Sequence, residues 1–280
     1  MKDYNRLVLK LSLKSITNVF ITLVISLLLL FPEVAKSQNR KVNLSYSFPA
    51  GKAVSYKSIS TINQEMEVNG QVMVVNVVST LGCSILSEGR SGSDQLIRVS
   101  IDTLAQTTDT QGIYNGGALE DAIGKSFTMK LSQGGKESGL EAANAIIIGH
   151  PDGTTTTAGQ SFSNFFPDLP VKAVGQGSEW MSSDTLISKT SNLEQMIIID
   201  SKNKFDSYEN VNGISCAKIL YTVSGTMVMK TRSQGMDLKI QGPVTGSGLL
   251  FFAVDKGYFI KQEAKNTMTG TLEIMTPENV

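Results

Sequence analysis

One histidine, His150, and two cysteines are the residues of this 280-residue sequence best suited to chemistry. His150 lies in the turn-forming run Gly149–Gly153, where the neighbouring Asp152 could orient an imidazole as a general base or share a metal ion with it. A zinc site needs three or four such ligands, and the sequence contains no second histidine. The composition of the run therefore predicts an exposed loop histidine.

The two cysteines, Cys83 and Cys216, each lie within an apolar segment with the alternation of a β-strand. In an oxidising compartment they could form one disulfide that closes a very long loop. They could equally be two small buried hydrophobic side chains with free thiols. Both alternatives stay open from the sequence.

Other patterns that mark catalytic or metal sites are absent from the sequence. Oxygen-bearing residues near one predicted hairpin could approach a calcium ion, but the alternating acidic order of an EF-hand is missing. These residues are Asp200, Asp206, Glu209 and Asn210. We predict no catalytic residue, no metal and no cofactor, and a hydrolase is the least favoured function because no nucleophile–base pair can be assembled.

The charge balance excludes a further class of function. The chain has 25 Lys and Arg against 25 Asp and Glu, and only 18% of its residues are charged. Nucleic-acid binding depends on a marked excess of basic residues, so a DNA or RNA partner is not expected. With 41% hydrophobic residues, the composition is that of a folded protein.

The first 37 residues have the features of an export signal. The apolar stretch Val19–Phe31 is shorter than the roughly 20 residues that a membrane-spanning helix needs. Ala35 and Ser37 place small residues before a cut ahead of Gln38. Basic residues precede the stretch at Lys2, Arg6, Lys10 and Lys14. We predict a cleaved signal peptide over 1–37 and a periplasmic or extracellular protein without a stable transmembrane anchor; an uncleaved anchor is the alternative.

The next part of the chain, 38–160, predicts an antiparallel β meander. Apolar residues alternate with polar ones over Val42–Phe48, the pattern of a half-buried strand. Two further alternating segments flank Asn69-Gly70, a strong hairpin turn, and a third strand covers Ile97–Thr103. Helix is a minor component, with Leu140–Ile148 the best candidate.

The remaining residues, 161–280, predict a second meander packed with the first. Proline in Phe162–Pro170 excludes a central strand there, so this segment is predicted to link the two halves. Short strands are then expected at Met196–Asp200 and Lys204–Ser207, and a hairpin at Lys256-Gly257. The fold class is mainly β, with roughly a dozen strands in strongly curved antiparallel sheets, half-barrel-like and possibly duplicated in tandem.

Several motifs together resemble an uncharacterised family of exported β-rich bacterial proteins. Besides the export signal, they are the Tyr56–Val75 strand and hairpin, the link Phe166–Lys172 leading to Gly177–Trp180, and the final hairpin Lys256–Ile260. Through that family the chain resembles the lipoprotein-carrier half-barrel fold. The resemblance implies an apolar concavity able to hold acyl chains or a lipidated peptide, and it implies no catalytic residues.

Large apolar side chains mark candidates for such a concavity. The last hairpin has apolar residues on both of its faces, and the single tryptophan stands where the second meander begins. The candidate ligand-lining residues are Trp180, Met181, Phe251, Phe252, Tyr258 and Phe259. The leading hypothesis is a non-enzymatic exported binding protein for an apolar or lipid-like ligand. The alternative is a structural or protein-interaction module in which these side chains fill the core.

Overall fold

The computed structural model of the chain describes residues 41–68, 71–151, 153–189, 193–233 and 236–275. The predicted export signal and the Asn69-Gly70 turn lie outside these residues. From Val42 onwards the described residues belong to one compact unit. Within the described stretches, none of the helices has the length and apolar character that crossing a membrane requires.

Sheet 1 is a six-stranded antiparallel sheet formed by the first part of the chain. Its strands are β1 (Val54–Val68), β2 (Gln71–Ser91), β3 (Asp94–Thr110), β4 (Ile113–Ala118), β5 (Ser126–Leu131) and β6 (Glu137–Ser138). The order across the sheet is β1-β2-β3-β5-β6, and β4 also pairs with β3. The long strands β1, β2 and β3 follow one another directly, which confirms the predicted meander.

A small connecting region leads to sheet 2. It contains α1 (Glu141–Asn144), the paired strands β7 (Ile147–Gly149) and β8 (Thr155–Thr157), and α2 (Ala158–Phe162). The helix expected over Leu140–Ile148 is thus only one turn, because the Ile-rich end of that segment pairs as β7. The proline-bearing residues that follow α2 form no strand, as predicted for a link.

Sheet 2 is also six-stranded and antiparallel. Its strands are β9 (Glu179–Lys189), β10 (Leu193–Val211), β11 (Ile214–Ser233), β12 (Met236–Ala253), β13 (Tyr258–Met268) and β14 (Thr271–Met275). They lie in the order β13-β12-β11-β10-β9, with β14 pairing β12. The two short strands expected at Met196–Asp200 and Lys204–Ser207 are one strand, β10, because no turn or proline interrupts the extended backbone.

The predicted fold class is confirmed: the protein is mostly β, with strongly curved antiparallel sheets and two short helices among the described residues. The two sheets share one detail of layout. In sheet 1 the long strand β3 pairs along its outer edge first with β4 and then with β5. In sheet 2 the long strand β12 pairs in the same way with β13 and then β14.

The main core lies where both sheets contribute buried side chains. Both sheets supply aliphatic and aromatic residues. Representative members are Ile85, Ile97, Val99, Ile101 and Met129 from sheet 1, and Phe205, Ile219, Leu250 and Phe252 from sheet 2. The face of sheet 2 that carries these last four residues is called the inner face below.

The segment Val42–Phe48 is the arm that joins the two sheets. Its alternation is as predicted, since Leu44, Tyr46 and Phe48 are buried, but it forms no regular strand. Instead the Tyr46 N–H donates to the carbonyl of Gln133 beyond β5 (2.9 Å), and the Ser47 N–H donates to the carbonyl of Gly257 before β13 (2.7 Å). One backbone segment therefore bonds to both halves of the fold.

A buried glutamine completes the attachment of the arm. The Phe48 N–H donates to Gln95 Oε1 (2.8 Å), and Gln95 Nε2 donates back to the Phe48 carbonyl (2.8 Å). The Tyr46 hydroxyl donates to the carbonyl of Pro167 in the link (2.9 Å). Because buried backbone groups are costly when unpaired, these bonds hold the arm between the sheets.

Glycines on the inner face allow sheet 2 to curve. Gly225 lies opposite Ile199 in the register, and a Cβ there would overlap the Ile198 carbonyl oxygen. A Cβ on Gly248 would overlap the Glu263 carbonyl and the Tyr221 ring. Neighbouring backbones approach this closely only where the side chain is missing, which permits the sharp curl.

We expect Gly225→Ala to destabilise the fold by about 1–3 kcal/mol, because the added methyl meets backbone that cannot rotate away. Gly117→Ala in β4 is the matched control, since a Cβ at that strand glycine meets nothing within 4 Å. Urea unfolding of both variants measures the difference. Equal stabilities of the two variants would contradict this account of the curvature.

Candidate functional site

The six candidate ligand-lining residues do not form one surface. Trp180 and Met181 are neighbours on β9 and so face opposite sides of sheet 2: Trp180 is half-buried on the inner face, while Met181 is 65% exposed on the outer face. Phe251 and Phe252 divide in the same way on β12. Phe251 packs with Cys216 on the outer face, while Phe252 belongs to the main core.

Three of the candidates fill the space between the sheets with aromatic contacts. Phe252 meets Tyr46 edge to face, with ring centroids 5.4 Å apart. Tyr258 stacks on Phe48 at 5.7 Å, and Phe259 stacks on Tyr56 of β1 at 4.4 Å. Such pairs stabilise a core beyond their buried area. In the described structure these three side chains are therefore core residues.

The possible disulfide between Cys83 and Cys216 is not formed: both are free, buried thiols. Cys83 lies in the main core, whereas Cys216 lies in the small cluster on the outer face of sheet 2, so the two side chains belong to different apolar environments. Burial raises the pKa of Cys83 to about 12 and also raises the pKa of Cys216. Both side chains thus behave as small protonated hydrophobes.

Trp180 packs against the main core, and its indole N–H is buried without a hydrogen-bond partner in the described part of the chain. The cross-strand neighbour is Asn203, whose amide instead donates to Ser182 Oγ (3.3 Å) and to the Ser201 carbonyl (3.4 Å). The polar partner expected for a tryptophan at a cavity mouth is not among these contacts. The geometry is that of a core side chain.

A second apolar cluster lies further along the inner face of sheet 2, and the sequence analysis did not identify it. Its buried members are Ile197, Met227 and Val244, which form a cluster separate from the main core. Leu186, Ile199 and Ile240 pack around them. The register places Ile197 of β10 between Leu186 of β9 and Met227 of β11, so these three adjacent strands all contribute to one face. These six residues are called the inner-face cluster.

On β10, β11 and β12 the register also keeps charge off this face; on β9, Asp184 has an inner-face position opposite Ile199 and is paired with Lys136. Inner-face positions are odd on β10 between residues 193 and 205, odd on β11 between 219 and 231, and even on β12 between 238 and 250. Within those ranges every Asp, Glu, Lys and Arg has the opposite parity. Polar but uncharged residues, Asn203 and Ser201, separate the inner-face cluster from the main core. The odd or even positions of the charged residues in the sequence could therefore have identified this face.

Few side chains stand beside the cluster on β12. Between residues 240 and 248 the inner-face positions are Ile240, Gly242, Val244, Gly246 and Gly248, and atoms of neighbouring residues approach the three glycines closely. Met268 and Leu272, on the neighbouring short strands, lie on the same face and are 48% and 40% exposed. The apolar surface therefore extends from the buried cluster to solvent.

A charged cluster lies where β9 meets the link and the β5–β6 turn. Lys136 Nζ donates to Asp168 Oδ2 (2.7 Å) and to Asp184 on β9. Partial burial lowers the pKa of Lys136, but the hydrogen bonds to the two carboxylates outweigh it and raise the pKa. Burial raises the pKa of Asp168, against the opposing bond from Lys136. One cation thus connects sheet 1, the link and sheet 2.

His150 is half-buried, and the exposed loop position expected for it is wrong. Its Nδ1 lies 3.2 Å from Gln106 Oε1 on β3, and its Nε2 lies 2.7 Å from Thr156 Oγ1 on β8. Both ring nitrogens are engaged in structural bonds. The imidazole borders a shallow pocket of about 360 Å³, lined by residues 115–121 and 149–151. Among the described residues, no three His, Cys, Asp or Glu side chains are grouped to hold a metal ion.

Substitution of Trp180 tests its position in the core. Trp180→Phe removes a donor whose burial is unfavourable and some ring volume, and these opposing effects should leave stability within about 1 kcal/mol. Trp180→Ala should cost about 3 kcal/mol. Thermal and urea unfolding measure both. If Trp180→Phe lowers the free energy of unfolding as much as Trp180→Ala does, the indole N–H is hydrogen-bonded in the folded protein.

Glu137 on β6 should make stability depend on pH. Its carboxylate accepts the Phe166 N–H (2.9 Å), and burial raises its pKa from 4.5 to about 7. The folded chain therefore holds this proton more tightly than the unfolded chain. Its stabilising contribution is complete below about 4.5 and is lost as the pH rises through about 7.

Glu137→Gln keeps an acceptor for the Phe166 N–H but cannot ionise. We expect this variant to lose that pH dependence and to exceed the parent in unfolding free energy by roughly 1–3 kcal/mol near pH 8. Urea unfolding between about pH 5 and 8 gives the measurement. Glu141→Gln, at an exposed acid of α1, is the control and should keep the parent's pH profile.

Comparison with known proteins adds no assignment to this geometry. No protein-family model, no curated protein and no solved structure matches the chain. The resemblance to an exported β-rich family stays a prediction from the sequence. The function has to be inferred from the inner face of sheet 2 and from the surfaces around it.

Proposed function

We propose that the protein is an exported, non-enzymatic binding module that holds an apolar or lipid-like ligand on the inner face of sheet 2. The observation that carries the proposal is the inner-face cluster, an apolar group on the four adjacent strands β9–β12 that is separate from the main core. A fold that needed only one core would have no reason to keep a second apolar face further along the same strands.

The composition of the inner face suits a chain-like ligand. Glycines flank Val244 at the inner-face positions of β12, so no long side chain of this strand covers the cluster there. Met227 inside the cluster and Met268 at its edge supply flexible side chains that adapt to ligands of different shape. Asp184, at an inner-face position of β9, is already paired with Lys136, and the other residues around the cluster are apolar or uncharged. This environment favours an acyl chain over an ionic ligand.

Because of its position on β9, Trp180 does not line the inner-face cluster. Trp180 and Leu186 are six positions apart on β9, a distance of about 20 Å along an extended strand. The single tryptophan is therefore too far along the strand to line the inner-face cluster. Binding has to be followed with a labelled ligand, because tryptophan emission would not report it directly.

A fluorescent fatty acid gives the test. The purified protein should bind the probe, and unlabelled fatty acid should displace it. Ile199→Phe adds a large ring at the half-buried border of the cluster, and we expect it to weaken probe binding roughly tenfold because it occupies the ligand's space. Native mass spectrometry of protein purified from its own host should also show a co-purifying apolar molecule.

Ile198→Phe is the matched control. Ile198 is the next residue on β10, has the same side chain and faces the outer side of the sheet. The control should bind the probe as the parent does. Equal weakening by both substitutions, or a parent that binds no probe, would overturn the proposal.

A structural or protein-interaction module is the second candidate. It is supported by the aromatic contacts that fill the space between the sheets, where Phe252, Tyr258 and Phe259 pack against the arm and β1. If neither probe binding nor a co-purifying molecule is found, the inner-face cluster is an extension of the packing and this second function is favoured.

A further inference from the structure

The outer edge of β1 is an unoccupied sheet edge. Strand β1 stands at the end of the sheet 1 order and, among the described strands, pairs only with β2. The pairing runs from Val54 to Val68 without a bulge, and β1 contains no proline. Bulges and prolines are the devices that keep edge strands from pairing with other chains, and this edge lacks both.

Exposed apolar side chains accompany the unpaired backbone. Residues 57–65 are all exposed, and Ile59 and Ile62, on opposite faces of the strand, are 63% and 54% exposed. Near the beginning of β1, the Tyr56 hydroxyl donates to the Phe259 carbonyl (3.0 Å) of sheet 2. The free length is thus nine residues that project both backbone groups and apolar surface.

The charges on this edge also lack partners. Lys57 and Glu65 lie on the same face of β1, and neither forms an ion pair within the described part of the chain. They are eight positions apart and equidistant from Thr61, the middle residue of the strand. In an antiparallel pair of identical strands centred on Thr61, each lysine therefore stands directly opposite the other chain's glutamate.

We infer that β1 pairs antiparallel with β1 of a second copy of this chain, with the two-fold axis at Thr61. The pairing places Lys57 opposite Glu65 twice, Ile59 opposite Asn63 and Ser60 opposite Ile62. It joins the two copies of sheet 1 into one continuous sheet. The contact is isologous, so the outer edge of β1 is paired in both copies. Assembly therefore stops at the dimer instead of continuing as a fibre.

Neighbouring registers are less favourable. Centring on Ser60 leaves Lys57 opposite Asn63 and makes no charge pair. Centring on Ile62 pairs Lys57 with Glu67 but sets Ile59 against Glu65. The register centred on Thr61 alone combines two charge pairs with no apolar residue opposite a charge over residues 57–65.

The other long edge strands are β13 and β9. The pairing of β13 contains a bulge, and its exposed part carries Lys261, Glu263 and Lys265, features that discourage pairing with another chain. Strand β9 is already in contact with its own chain. Gln160 of α2 donates to the Lys189 carbonyl (3.2 Å), and Lys136 binds Asp184 at the middle of the strand. Glu179 at its beginning is paired with Lys202 (2.9 Å). Strand β1 is therefore the edge that a second copy would use.

Charge exchange tests the inference. Sedimentation should show a concentration-dependent dimer of the parent. Lys57→Glu alone and Glu65→Lys alone each replace two attractive pairs by two repulsive ones, and each should weaken dimerisation roughly tenfold or more. The double variant should dimerise as the parent does. An equimolar mixture of the two single variants should form a heterodimer, because each chain then supplies the charge that the other needs.

The register has its own control. Glu67→Lys changes the same charge on the same face but has no lysine opposite it in the inferred register, so it should leave the dimer unchanged. Thr61→Cys should form a disulfide-linked dimer on mild oxidation, since both native cysteines are buried. Asn63→Cys, on the same face, should not, because the two introduced thiols would lie about 13 Å apart.

Several outcomes would overturn the inference. A parent that stays monomeric at all accessible concentrations excludes the pairing. A dimer that is unaffected by both Lys57→Glu and Glu65→Lys, or equal cross-linking through positions 61 and 63, places the interface elsewhere. None of these results depends on ligand binding, so the dimer and the apolar-ligand proposal stand or fall separately.

Discussion

The hydrogen bonds of the arm, Val42–Phe48, are the interaction on which the rest of the structure depends. The arm gives one backbone N–H to each half of the fold, at Gln133 and at Gly257, and its aromatic side chains fill the space between the sheets. Neither sheet could bury its inner face alone, because each has only one layer of strands. The arm converts two curved sheets into one core.

The two faces of sheet 2 differ because charged residues of its long strands fall at alternate positions that face the same side. Charged residues occupy the outer positions of the long strands, and the inner positions are apolar or neutral over ranges well beyond the main core. A shift of one residue in any register would bring those charges inside, so the register is strongly determined. The same alternation that fixes the fold therefore also keeps the inner face of β10, β11 and β12 free of charged side chains.

The sequence predicted the fold class well because alternation and turn residues act locally. It predicted the alternation of the arm but not its position, because the partners of Tyr46 and Ser47 are set by the packing of distant strands. It predicted two strands, Met196–Asp200 and Lys204–Ser207, where β10 is one, because the apolar alternation is interrupted by polar residues 201–203 while the backbone stays extended. Residue type rather than parity guided the choice of lining residues, so Trp180 and Met181 were grouped although adjacent strand positions face opposite sides.

The contacts of the arm and of the neighbouring Tyr56 join residues that are far apart in the sequence. The Tyr46 hydroxyl and its acceptor, Pro167, are 121 residues apart, and Tyr56 bonds a carbonyl 203 residues further along the chain. Closing such long loops is slow, so the segment that leaves the ribosome early is fixed in place only after the final hairpin exists. Among the described residues, the arm precedes every sheet strand, so a force or a protease advancing along them from residue 41 would reach the arm first. Peeling away these few residues would uncover the aromatic core and separate the two sheets while their own strands were still paired.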